Sequence, residues 1–313
     1  MRYTQLRAFH HVATAGGFSS AAQALNLTQP AISDQVRSLE DDYDIKLFDR
    51  TKRRVQLTAQ GADLLTVTRR LFEAERQAAE LLSEQRALRA GRLRIVADSA
   101  HHILHVLAQF RARYPGVQIT VTSGNSDTVP RQLHDYEADI GVMGEVPKVS
   151  EFRYLVLGAS PIIAFAPRDS AFAKAQSLTL MDLAAVPLVL REDGSKTRRK
   201  FLEAARAAEV DLAPIVEAEG REAVREIVAA GGGVGIVSRA EFGHDARLAP
   251  IQIADAPGLE MEEALVCLSH RREVKLIAAF FDMALSFVED GPRPKTAEKV
   301  ADGPVGPRIR PLD

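Results

Sequence analysis

Leu6, Phe9, Val12 and Ala13 recur at the spacing of one helix face, and Gly16-Gly17 then interrupts the pattern, which predicts a first helix over 3–15. Ser19 is placed to cap a short second helix, Ser20-Ala21-Ala22-Gln23-Ala24-Leu25. Asn26-Leu27-Thr28 makes a tight break, and Pro30 suits the first turn of a third helix. There Ile32, Val36 and Leu39 form an apolar stripe, leaving Ser33, Asp34, Arg37 and Ser38 on the other side. Two short helices, a tight turn and a third helix with a polar face describe either a helix-turn-helix or an ordinary three-helix bundle. The next residues favour the first reading. Lys46-Leu47-Phe48-Asp49-Arg50 leads through Thr51-Lys52-Arg53-Arg54 to Val55-Gln56-Leu57-Thr58, the pattern of a hairpin with a basic tip, or wing.

From 59 to 90 there is no proline, and Leu64, Val67, Leu71, Ala74, Ala78, Leu81, Gln85 and Leu88 alternate at steps of three and four. One long helix with a narrow seam is expected, packed either on its own domain or on a partner. After Gly91 the texture changes to short apolar runs, at 93–97, 117–121, 138–143, 162–166, 188–190, 215–218, 235–237 and 264–268. Helical patterns near 102–113, 196–208, 220–230 and 273–288 alternate with them, as in a doubly wound α/β system. The expected organisation is a DNA-binding module over 1–58, a linker helix over 59–90 and an α/β domain over 91–290. The proline-rich segment 291–313 has no apolar periodicity and is expected to be disordered.

A net charge of −2 over 313 residues is not the bulk signature of a nucleic-acid binder, so the informative charge is local, at Arg50, Lys52, Arg53 and Arg54. Such a cluster is usually solvated surface, but at the tip of a wing it can meet phosphates or the minor groove. The single cysteine, Cys267, excludes an internal disulfide framework and a multi-cysteine zinc site, and in an apolar strand it reads as a small buried hydrophobe. No apolar run approaches a membrane span and no secretory signal is visible at the N-terminus, which places the chain in the cytoplasm as an expectation.

The stretch FSSAAQALNLTQPAISDQVRSLEDDYDIKLFDRTKRRVQLTAQG resembles the N-terminal signature of LysR-type transcription regulators. The resemblance implies an α-rich N-terminal module, a winged helix-turn-helix, joined by a long linker helix to a two-lobed, periplasmic-binding-protein-like (type II) α/β sensing domain. It puts Thr28, Gln29, Pro30, Ser33, Asp34 and Arg37 at the major groove, and Arg50, Lys52 and Arg53 at the wing contacts. Asp34 departs from the basic or amide residue of many relatives, and it can accept a hydrogen bond from cytosine N4. The long helix is then a dimerisation element through Leu64, Val67, Leu71, Ala74, Ala78, Leu81 and Leu88. Lobe one would comprise about 92–160 and 267–290, and lobe two about 161–266. The partners implied are double-stranded DNA at imperfect inverted repeats, a second copy or a tetramer of this chain, a small-molecule effector and, as a further candidate, RNA polymerase. MRYTQLRAF, GNSDTV and REDGSKTRRKF resemble the branch associated with aminoethylphosphonate catabolism.

In such folds a ligand sits outside the carboxyl ends of strands, where amides and hydroxyls can hold an anion. Ser99, Ala100 and His101, Asn125 and Ser126, Thr197, and Glu219 follow strands or open helices and are the candidate effector residues, although each alone could be a cap or a turn. For an aminophosphonate, Glu145 or Glu219 could meet the ammonium. His101, His102 and His105 have helical chelate spacing, but no carboxylate or cysteine stands near them in sequence, so no metal is expected. Gly231-Gly232-Gly233-Val234-Gly235 lacks the context of a phosphate loop. An enzyme on the same scaffold is disfavoured, since no nucleophile-base pair, metal cluster or cofactor loop stands out. A solute-binding protein would not need the first sixty residues. No catalytic residue and no cofactor is therefore assigned.

Overall fold

The computed structural model describes residues 1–49, 55–82, 88–145 and 150–290, with the side chains of Glu80, Leu81, Glu289 and Asp290 also left aside. The chain divides into two compact units, 1–83 and 84–313. The expectation for 291–313 and the wing-tip residues Arg50, Lys52 and Arg53 lie outside the described residues.

In the first unit α1 (Tyr3–Ala15) ends at Gly16, whose φ of 71° no side chain adopts cheaply. Helix α2 (Phe18–Leu25) starts two residues ahead of expectation, with Gly17 rather than Ser19 at the N-cap, because Phe18 turns inward onto the core. It stops at Asn26 in the left-handed region. Helix α3 (Gln29–Tyr43) is capped by Thr28, whose side chain accepts from Ala31 N, with Pro30 in the first turn. Phe9, Val12, Ala21, Ile32, Val36, Leu39, Leu47 and Phe48 make one core. Strands β1 (Phe48–Asp49) and β2 (Gln56–Leu57) pair antiparallel, closing the expected hairpin, and α4 (Ala59–Leu82) follows.

The second unit contains two lobes on a shared strand. In the first, β3 (Arg92–Ala97), β4 (Gln118–Ser123) and β5 (Ile140–Met143) are parallel, in the order β4-β3-β5, and β12 (Glu260–Leu268) runs antiparallel beside β5. Strand β6 (Phe152–Pro167) pairs with β12 along residues 152–161 and then continues into the second lobe. There it meets β10 (Val234–Ser238) and β11 (Leu248–Ile253), and β8 (Leu188–Arg191) and β9 (Pro214–Ala218) extend the sheet beyond β10. The short β7 (Ser177–Leu178) pairs with β11. Helices α5 (Leu104–Arg113), α6 (Thr128–His134) and α11 (Lys275–Asp290) belong to the first lobe. Helices α7 (Leu180–Ala184), α8 (Lys196–Ala207), α9 (Arg221–Ala229) and α10 (Arg239–Phe242) belong to the second.

Two cores mark the lobes: Leu93, Ile95, Phe110, Ile140, Leu265 and Phe280 in one, and Ile162, Leu188, Leu190, Phe201, Val234 and Ile236 in the other. The strand expected at 162–166 is thus the far half of one that begins at Phe152. Its near half holds Gly158 and Ser160, and it is strand because β12 pairs with it, through an irregularity between Glu263 and Ala264. The chain also re-enters the first lobe's sheet at Glu260, ahead of the position near 267 expected from the resemblance. Glu260, Glu262 and Glu263 mask the strand in the sequence.

Candidate functional site

On α3, Thr28, Gln29, Pro30, Asp34 and Arg37 are exposed and Ser33 is half-buried, opposite the buried Ile32, Val36 and Leu39. The six groove candidates therefore share one accessible end and face of a helix, as a reading helix requires. The face is held by polar groups that the sequence reading missed. Gln5, fully buried, donates from Nε2 to Ser38 Oγ (3.0 Å) and Asp42 Oδ2 (2.9 Å), and its Oε1 accepts from Arg2 N. The buried Glu40 accepts from the backbone amides of Leu47 (2.8 Å) and Phe48 (3.3 Å), tying the start of the wing to α3. Thr58 donates to Lys46 O and accepts from Gly61 N. A Cβ on Gly61 would collide with Leu47 O, so only glycine fits where α4 passes β1.

Helix α4 has two unlike faces. Leu65, Thr68 and Glu73 are buried, and Phe72 packs against Tyr3 and His10 of α1. On the seam, Leu64 is half-buried, whereas Val67 (62%), Leu71 (42%), Ala74 and Ala78 are exposed. The side chain of Leu81 lies outside the described residues. Leu88 belongs to the second unit, where it is half-buried against the core of the first lobe.

Between the lobes, the candidate hydroxyls are buried. Ser99 and Ser126 each have an Oγ without a hydrogen-bond partner, and Thr197 lines a cavity with Arg191, Arg221, Glu241, Phe165 and Phe242. Asn125 Oδ1 accepts from Asp127 N and Thr128 N, so it acts as a cap, and its amide abuts Gly194 of the other lobe. Ala100 is half-buried, while His101 and Glu219 are exposed and stand apart from these contacts. Glu145 is held by Lys196 at 2.8 Å.

The charge of the cleft comes from residues outside the effector candidates read from the sequence. Asp98, at the end of β3, receives Arg191 from the end of β8 at 2.9 Å. The carbonyl of Asp98 receives Arg221 from the start of α9 at 2.7 Å. Arg191 also reaches Glu192 (2.8 Å), and Arg221 reaches Glu241 (3.1 Å). His102 faces both Glu241 (3.6 Å) and Glu263 (3.4 Å). Burial pushes the Asp98 carboxyl above its usual range against the pull of both arginines. Burial likewise pushes Glu263 up to about 7. Burial also opposes a charge on His102, but Glu241 and Glu263 raise its pKa above the usual value. The cavity holds about 10 Å³, the room of a single water, so the two arginines are answered by the protein's own acids.

An exposed reading helix followed by a hairpin, with a two-lobed α/β domain whose cleft is lined by charge, is the build of an effector-responsive DNA-binding transcription regulator. The chain belongs to the LysR family. The family model "Bacterial regulatory helix-turn-helix protein, lysR family" matches residues 3–62 and "LysR substrate binding domain" matches residues 86–288. The chain is similar to the HTH-type transcriptional activator CmpR of Synechocystis sp., with 24% identity over 88% of this chain and 92% of that protein. It is also similar to the HTH-type transcriptional regulator CbbR of Xanthobacter flavus, with 30% identity over 82% and 78%. These relatives are transcription regulators, not enzymes. Among solved structures, a full-length OxyR variant from Pseudomonas aeruginosa has a TM-score of 0.73 at 21% identity, covering 91% of this chain and 94% of that one. Full-length CbnR in complex with its target DNA has 0.68 at 20%, covering 92% and 100%. The Synechocystis PCC6803 CcmR regulatory domain in complex with 2-PG has 0.57 at 22%, covering 64% and 98%. The fold expected from the sequence, a helix-turn-helix joined to a type II periplasmic-binding-protein-like domain, is the fold these structures share. Among the described residues, no helix is long and apolar enough to cross a membrane.

Proposed function

We propose that the chain acts in the cytoplasm as a dimer or dimer of dimers on imperfect inverted repeats, contacting RNA polymerase at its promoters, and changes conformation when a small amino-bearing anion enters the interlobe cleft. Thr28, Gln29, Pro30, Ser33, Asp34 and Arg37 read the major groove, and Arg50, Lys52 and Arg53 meet phosphates or the minor groove. The seam of α4 supplies the pairing. Replacing Arg53 with alanine is expected to weaken binding to every duplex and lower the salt slope by about one, whereas Ser33→Ala reorders operator variants.

The observation that carries the effector reading is the pairing of Asp98 with Arg191 and Arg221. Two buried guanidiniums on one lobe match the oxygens of a phosphonate or carboxylate, and the acid they release on binding can receive an ammonium. A zwitterion such as aminoethylphosphonate replaces these internal pairs in kind, leaving no buried charge unanswered. Ser99, Ser126 and Thr197 are the supporting hydroxyls. A second reading takes its effector from CcmR, whose regulatory domain was solved with 2-PG, and the same arginines would hold that ligand. Titration calorimetry of the full chain against aminoethylphosphonate, phosphonoacetate, 2-PG and an aromatic acid separates them. Heat from aminoethylphosphonate alone supports the zwitterion, 2-PG alone supports the second reading, and the aromatic acid alone overturns both.

A further inference from the structure

Six ionisable groups meet between the lobes, and the arginine pairs account for only part of them. His102 sits in the single turn Ala100–Ile103 after β3 of the first lobe, Glu241 in α10 of the second, and Glu263 on β12 beside the crossing strand. One ligand atom from each lies within 4.8 Å of the others. His102 Nε2 is 3.4 Å from Glu263 Oε1 and 3.6 Å from Glu241 Oε1, yet it completes a hydrogen bond with neither. Glu263 is 2% exposed, and its second oxygen, Oε2, has no partner. A buried imidazole nitrogen and a buried carboxylate left unsatisfied are costly unless something else occupies the space between them.

We infer that His102, Glu241 and Glu263 form a divalent-cation site that joins the two lobes. Bonds of about 2.0–2.2 Å at tetrahedral angles place ligand atoms about 3.4 Å apart, close to the observed separations and longer than a good charge-assisted hydrogen bond. One imidazole and two carboxylates suit a first-row ion of intermediate softness, of which Zn²⁺ is the type, and they are too few and too nitrogen-rich for Mg²⁺. Two carboxylates also neutralise such an ion. Arg221, 3.1 Å from Glu241 Oε1, orients that ligand as an outer partner while it keeps its bond to the carbonyl of Asp98. The buried Ser99 Oγ lies beside Glu241, and the fourth position is left for a water. Because its ligands come from both lobes, the cation ties the two lobes together across the cleft. Its binding is independent of the effector's identity and is measured without effector.

The test uses the untagged, metal-stripped full chain. Co²⁺ should give the intense visible absorption of a tetrahedral site at about one ion per chain, Zn²⁺ should displace it and raise the Tm, and Mg²⁺ should do neither. His102→Gln and Glu263→Gln should each weaken binding by about 10–100-fold, whereas Glu226→Gln, on the exposed pair with Arg247, should leave it unchanged. Anomalous scattering at the zinc edge from wild-type crystals grown with Zn²⁺ should place the ion between these three side chains, which keeps the test open if a variant fails to fold. Absence of the Co²⁺ absorption in folded wild type, binding that survives both glutamine variants, or zinc located elsewhere overturns the site.

Discussion

Asp98 of the first lobe and Arg191 of the second form a nearly fully buried ion pair between the lobes, Oδ1 to Nη1 at 2.9 Å. Each side chain satisfies the other's charge, and so the cleft is closed on itself. Under the proposed effector reading, an anion exchanges partners with Asp98 as it binds.

Asp98→Asn removes the internal anion while keeping the shape. Arg191 retains Glu192 and Arg221 retains Glu241, so the chain should still fold with a modest loss of Tm. A simple anion such as phosphonoacetate should then bind about tenfold tighter, roughly 1.4 kcal/mol, while aminoethylphosphonate gains nothing because its ammonium has lost its acceptor. Calorimetry showing both ligands weakened alike would refute the exchange.

Glu40→Ala should strip the acceptor from two buried backbone amides, Leu47 N and Phe48 N. An unsatisfied buried donor costs about 1–3 kcal/mol, so the N-terminal unit should melt earlier and DNA affinity should fall as the wing loses its register with α3. Effector binding, measured by calorimetry, should be unaffected.

Leu71→Glu puts a charge on a position that is 42% exposed in the single chain, where it should cost almost nothing. If α4 pairs with a second copy, the same carboxylate is desolvated at the interface at a cost of several kcal/mol. Light scattering should then report a smaller assembly at unchanged thermal stability of the α/β domain. Retention of the native assembly would rule out this seam.

His10 packs against Phe72, with Nδ1 3.1 Å from Thr68 Oγ1, and burial lowers its pKa from the usual 6.5 to about 4. The folded state holds the neutral ring, so the unfolded chain takes up the proton first as pH falls. Stability of the N-terminal unit is then complete above about pH 6.5 and declines toward pH 4. Thermal melts of wild type and His10→Gln over this window should differ in slope, with the variant flatter. Equal slopes would mean that other groups set the acid response.

The sequence by itself determined the elements whose causes are local. Helical spacing at Leu6, Phe9 and Val12, the stop at Gly16, the Thr28 cap and Pro30 specify three helices and a tight turn without reference to anything distant, because caps and periodicity act within one or two turns. The exposed polar face of α3, opposite Ile32, Val36 and Leu39, was legible for the same reason. What only the tertiary structure decided is where charge is buried. Asp98, His102, Arg191, Arg221, Glu241 and Glu263 come from widely separated stretches of the chain; in sequence the acids and arginines look like ordinary solvated surface, and His102 has no carboxylate near it. They meet because strand ends of two lobes face one another across β6 and β12. The role of Gln5 and Glu40 was hidden likewise, since a buried polar residue is recognised by the partners that satisfy it, and these are set by the packing of α1 on α3 for Gln5 and by the turn after α3 for Glu40. Strand β6 shows the same limit, for its near half owes its strand to pairing with β12, a contact between residues about a hundred positions apart.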